Sequence, residues 1–82
     1  MCVVYILQSL KDKRTYVGST NNFERRLVQH QTGKVISTKH RVPFKVLLTE
    51  EFESLKEARK RELWYKSGAG RRKLKTYFAS RS

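Results

Sequence analysis

Residues Val3 to Leu7 (VVYIL) are apolar without interruption. A strand with no polar face must be covered on both sides, so this segment is expected in the middle of a sheet. The polar stretch QSLKDKR follows and suits a hairpin connection to a return strand, TYVGS. Gly18 either ends that strand or lets a backbone or ligand approach closely. NNFERRLVQHQTG then has the features of a helix. Asn21 or Asn22 is placed to cap it, and Glu24 falls in its first turn, where the dipole favours negative charge. Phe23 and Leu27 lie four apart and share a face. Gly33 is placed to end the helix in a left-handed conformation.

The segment KVISTKHRVP has no clear period. It reads as loop with at most a short helical turn, pinned to the core through Val35 and Ile36. After Pro43, the alternation of Phe44, Val46 and Leu48 in FKVLLTEEF is strand-like. Ser54 with Glu57 three residues on has the capping-box spacing, and the helix it starts should run to about Lys66. Gly68 to Gly70 (GAG) should break it. A last short helix, RRKLKTYFA, would present Leu74, Tyr77 and Phe78 as its apolar side. The order β-β-α-loop-β-α-α predicts one α+β domain over residues 1–82, a small three-stranded antiparallel sheet flanked by helices.

Composition narrows the picture. With 82 residues and 38% hydrophobic content, the chain supports one thin core. Cys2 is the single cysteine, which excludes a disulfide framework and fits a reducing compartment. No histidine or carboxylate lies near it in sequence, so it reads as an apolar filler rather than a nucleophile. The run from Cys2 to Leu7 is too short for a signal peptide or a membrane span, so a cytoplasmic location is expected.

Charge changes the picture most. Nineteen Lys and Arg oppose seven Asp and Glu, a net charge of +12. Residues 54–82 alone carry ten basic and two acidic groups. An excess spread over the whole chain points to a polyanionic partner. Nucleic acid leads over an anionic membrane, because no segment combines a strong apolar face, a lysine-rich opposite face and an aromatic anchor. Arg25, Lys66, Arg59, Lys60, Arg71, Arg72, Lys73 and Lys75 are the candidate backbone contacts. Trp64 lies opposite the buried arc of its helix, placed either to stack on a base or to cover the last helix.

Two positions break the helical patterns. Leu55, Ala58, Glu62 and Tyr65 recur at helical spacing, so Glu62 falls inside an apolar arc. A carboxylate there needs a metal or an internal ion pair, and the face alone leaves both open. Arg26 and His30 share a face close to that of Phe23 and Leu27. Both are placed either to point at the sheet edge or, more plainly, to snorkel and to complement the helix C-terminus.

These pieces together resemble a known family. VVY, followed eleven residues after its tyrosine by YVG, resembles the paired signature of the GIY-YIG nuclease superfamily. STNNFERRLVQH resembles the family's next block, with its arginine at Arg26 and its histidine at His30. EARKRELWYK resembles the block that holds the family's glutamate, here Glu62. The resemblance runs from Val3 to about Phe78 and is closest to small stand-alone members. It implies divalent-metal-dependent hydrolysis of DNA, with Mg²⁺ or Mn²⁺ as cofactor and a role in DNA repair or processing. By resemblance, Glu62 is the metal ligand and Arg26 the phosphate stabiliser. Tyr5 is the general base or its proton relay. Tyr16 orients water or phosphate, and His30 holds a tyrosine hydroxyl or shares in proton transfer. A tyrosine has an unperturbed pKa of about 10, so a base role needs a cation and hydrogen bonds that lower it. Lys66, one turn after Glu62, is placed to neutralise it or to touch phosphate.

The chain departs from the family at two points. Val3 stands where the first triplet has its glycine, and no asparagine follows Asn22, where larger members carry one after the glutamate helix. With no second DNA-binding domain, low sequence specificity is expected. The alternative is a catalytically impaired nucleic-acid-binding module with the same fold. A basic RNA-associated protein ranks third, since no aromatic RNA-binding signature or GXXG loop is present.

Overall fold

The computed structural model describes the backbone of residues 1–81 and the side chains of residues 1–76. Its elements are β1 (Cys2–Ser9), β2 (Thr15–Thr20), α1 (Phe23–Gln31), β3 (Phe44–Phe52), α2 (Leu55–Lys66) and α3 (Gly68–Arg81). The sheet has the order β2-β1-β3, antiparallel throughout. The uninterrupted apolar run is therefore central, as its pattern requires. Its alternate residues serve two separate cores. Cys2, Val4 and Ile6 pack with Val17, Ala58, Tyr65 and Leu74 on the side of α2 and α3. Tyr5 and Leu7 pack with Phe44, Tyr16, Phe23 and Leu27 on the side of α1. Val4, Ile6 and Leu7 are fully buried, each worth roughly 1.5–3 kcal/mol.

The turns are set by short polar side chains. Buried Ser9 accepts from the amides of Lys11 (3.1 Å) and Asp12 (3.2 Å) and donates to the Arg41 carbonyl (2.5 Å). One hydroxyl thus shapes the hairpin and ties it to the segment before β3. Asn22, not Asn21, caps α1 by accepting from the Arg25 amide. Gly33 follows with φ +74°, as its position predicted. Ser54 caps α2 by accepting from the Glu57 amide.

Three expectations are corrected. Ile36 is 84% exposed, so the Val35–Ile36 pair does not pin the loop; Thr38, fully buried between two successive turns, does. The Phe44–Val46–Leu48 alternation fails at a bulge. Ile6 pairs with Leu48 but Leu7 with Val46, which leaves Val46 exposed and turns Leu47 and Leu48 toward the same core. Gly68 to Gly70 do not form a break of their own. The chain leaves the helix only at Ser67 (ψ 171°), and the three residues are the first turn of α3. A side chain at Gly70 would lie 2.2 Å from the Trp64 carbonyl oxygen, so the glycine lets α3 pack tightly on α2. Leu74 is buried as expected. The side chains of Tyr77 and Phe78 lie outside the described residues.

Candidate active site

Tyr5 sits at the centre of β1 directly opposite Gly18 of β2. Its ring lies over that glycine: a Cβ there would fall 2.4 Å from the Tyr5 hydroxyl oxygen and 3.1 Å from the Tyr16 ring. Gly18 therefore provides the slot that sends the Tyr5 hydroxyl toward the sheet edge. The ring is enclosed by Tyr16, Phe23 and His30, at centroid distances of 6.2, 5.5 and 5.7 Å. Tyr5 is almost wholly buried and Tyr16 half-buried.

Helix α1 supplies the other two groups from one face. Arg26, one turn before His30, lies near enough to both tyrosines for its charge to act on them. It also donates to Gln29 Oε1 at 3.1 Å. His30 is not the peripheral helix-end residue its position allowed, because it is completely buried. Its Nε2 lies 3.0 Å from the Tyr5 hydroxyl and its Nδ1 lies 2.9 Å from Thr38 Oγ1.

Donor counting gives these hydrogen bonds a direction. Arg26 stands beside Tyr5 and, as a guanidinium, can only donate, so the Tyr5 proton needs another acceptor. His30 Nε2 is that acceptor. The ring then carries its proton on Nδ1 and donates to Thr38, whose hydroxyl reaches the Val35 carbonyl at 3.5 Å. In this arrangement every buried proton has a partner.

The electrostatics agree with a neutral resting pair. Burial, followed by the Arg26 charge, pulls the His30 pKa down to about 4. Burial pushes the Tyr5 pKa up to about 12, although Arg26 works against it. The expected lowering of this tyrosine by the neighbouring cation does not occur, because desolvation outweighs it.

Glu62 approaches from the opposite face of the sheet. Ser19, which alternates with Gly18 and so points toward α2, donates to Glu62 Oε1 at 2.5 Å; Lys66 donates to Oε2 at 2.7 Å. Burial raises this carboxyl's pKa, but the two hydrogen bonds and the Arg59 charge outweigh burial and hold it below its ordinary value. Glu62 is thus an ion-paired carboxylate at the rim of the core. The structure brings Tyr5, Tyr16, Arg26 and His30 together and sets Glu62 around the end of β2, where its charge still acts weakly on Tyr5. An open cleft of about 370 Å³ touches both halves, with Ser19 on one wall and Arg25, Arg26 and Gln29 on the other.

Among the described residues no cluster of three or more His, Cys, Asp or Glu could hold a metal. A hard cation that keeps most of its waters needs only one or two carboxylates. Glu62 meets that requirement if Lys66, half exposed, swings away.

The basic candidates separate by environment. Arg25 lines the cleft, while Arg59 lies beside Glu62. Arg71 and Lys75 line a trough along β2. Lys60 and Arg72 are exposed elsewhere on their helices. Lys73 Nζ is 5.8 Å from the Trp64 ring. Trp64 covers the α2–α3 side, half-buried under Arg61 at 4.3 Å, rather than standing free for a base. Sequence reasoning missed Ser19 and Thr38. The strand period, which puts Ser19 on the face of Val17, was a usable signal for the first; an aperiodic loop offered none for the second.

Comparison with known proteins gives one consistent answer. The family described as the GIY-YIG catalytic domain matches residues 1–77. A UPF0213 protein of Clostridium perfringens is 40% identical over 75 residues, covering 90% of this chain and 80% of that protein. The UPF0213 protein YsiG of Lactococcus lactis is 41% identical over 63 residues, covering 76% of this chain and only 60% of that protein. A solution NMR structure of a UPF0213 protein from Bacillus halodurans superposes with a TM-score of 0.55 at 34% identity, covering 94% of this chain and 85% of that one.

Proposed function

The chain belongs to the GIY-YIG catalytic domain family, and we propose that it is a divalent-metal-dependent DNA endonuclease of low sequence specificity. The observation that carries this reading is the convergence of Tyr5, Tyr16, Arg26 and His30 across Gly18, beside an open cleft. Arg26 gives fixed positive charge where the nonbridging phosphate oxygens gain negative charge in the transition state. Tyr16, less buried than Tyr5, orients the phosphate or the attacking water. Tyr5 is the general base or its proton relay, with its hydroxyl held 3.0 Å from His30 Nε2. Tyr5 rests as a phenol with a pKa of about 12 beside a His30 with one of about 4, so the pair is not a ready base at rest, and a base role requires positive charge at the bound substrate that lowers the phenol. Glu62 would hold Mg²⁺ or Mn²⁺, which when bound polarises the phosphate and steadies the leaving oxygen. Basic side chains supply affinity through phosphates, which favours repair or processing over site-specific cutting.

The test is nicking of supercoiled plasmid with Mg²⁺ or Mn²⁺. Glu62→Gln should lower the rate roughly 100-fold or more, the scale of a lost electrostatic contact to the transition state. Cleavage that survives Glu62→Gln in pure protein rejects the metal assignment. The second reading, a binding module without chemistry, draws on the closed Glu62–Lys66 pair and the raised Tyr5. It predicts salt-sensitive binding and no cleavage with any metal.

A further inference from the structure

Two adjoining clefts lie along β2, one of the two outer strands of the sheet, away from the one beside Arg26. They share Thr15, Arg71 and Leu74 and so form one trough. The larger part, about 620 Å³, lies between the hairpin and α3, with Lys13 and Arg14 on one rim and Arg71 and Lys75 on the other. The smaller part, about 300 Å³, ends at Tyr16 and Lys66. Arg71 and Lys75 are four apart on α3 and therefore share a face. No Asp or Glu lines either part, and none of these four cations has an ion pair among the described residues. The floor is different in kind, with buried Leu74 and half-buried Thr15 and Tyr16.

We propose that this trough carries a single strand of nucleic acid along the α3 side of β2 to the edge of that strand at Tyr16, with the candidate active site on the other face of the same edge. Cationic rims over a partly apolar floor match one strand, whose phosphates ride the rims while sugars and bases lie below. A duplex carries phosphates on its convex outside and would leave the floor unused. A protein strand adding to the edge of β2 would meet cationic rims and no carboxylate, a match only for a strongly acidic segment. The inference rests on the reading of the site as one that meets nucleic acid, but not on cleavage. It also ranks the basic residues: Lys13 and Arg14 join Arg71 and Lys75, and Lys60 and Arg72 drop out.

The experiment measures anisotropy of a labelled single-stranded oligodeoxynucleotide in EDTA across a salt series, with a duplex of equal length as the second arm. The single strand should bind more tightly than the duplex. Lys13→Ala with Arg14→Ala, and Arg71→Ala with Lys75→Ala, should each reduce the slope of log K against log salt by about 1.4, two single-strand phosphates' worth. Lys34→Ala with Lys39→Ala, an equal charge loss on the exposed loop, should leave the slope nearly unchanged. Equal slopes for all three pairs would mean that net charge acts diffusely, and the trough would be rejected. Tighter binding of the duplex, indifferent to the trough variants, would also reject it. Slope changes without plasmid nicking would keep the trough and reject the nuclease.

Discussion

The two faces of β1 are made from alternate residues of one apolar run, yet they are held by different physics. Toward α2 and α3, Val4 and Ile6 meet Ala58, Tyr65 and Leu74 through contact alone. Toward α1, Tyr5 meets His30 and His30 meets Thr38 through directed hydrogen bonds inside an aromatic surround, with the Arg26 charge beside them. An apolar face tolerates imperfect geometry at a graded cost. A buried polar face does not, since each unmet donor costs its full desolvation. A small domain can therefore keep its apolar core on one side of a strand and its buried polar groups on the other.

The sharpest way to break this comparison is to delete matter from each face. Ile6→Ala should cost about 2–5 kcal/mol by chemical denaturation, enough to unfold a marginal domain. Arg26→Ala should instead slow nicking about 100–1,000-fold with little change in melting temperature. If Arg26→Ala melts as early as Ile6→Ala, the division of labour is wrong. Thr38→Val keeps the volume and removes the acceptor for His30, so it should cost about 1–3 kcal/mol. Thr38→Ser should restore the loss, and ¹⁵N shifts of the His30 ring should report the Nδ1–H form in wild type and a mixture in Thr38→Val. The smallest effect is in acid. Folded His30 titrates at about 4, below its unfolded value of about 6.5. The unfolded chain therefore binds more protons between these values, so stability falls as pH drops from about 6.5 toward 4. His30→Gln should flatten that slope in urea melts; an unchanged slope would place the acid sensitivity elsewhere.

Legibility in the sequence followed locality. The central strand, the hairpin and the cap at Ser54 depend on neighbours within a few residues and were readable, and the cap of α1 was readable as one of two adjacent asparagines. Arg26 and His30 were readable as sharing a face, because the helical period carries that information. That His30 is buried was not readable, since its cover comes from a loop eight residues on with no period. The bulge at Leu47 was hidden because every residue from Val46 to Leu48 is apolar, so a shift in register leaves the pattern unchanged. The first turn of α3 was misread because two glycines signal a break. Here Gly70 serves close packing instead, a demand made by the partner helix. The Glu62–Lys66 pair was visible as one of two open readings, and spacing could not choose between them.

The Gln31 side chain has a consequence for self-association. Its amide donates to the Phe44 carbonyl at 2.6 Å and accepts from the Phe44 amide at 2.9 Å, the pair of bonds that a neighbouring strand would make. An uncovered outer strand is a template on which another copy can add. Helix α1 thus closes the first rung of β3 with a single amide, and Lys45, Glu50 and Glu51 place charge along the rest of the strand. Of the two borders of this sheet, the one at β3 is guarded against fibre-like stacking, whereas the one at β2 is rimmed by the cations of the trough.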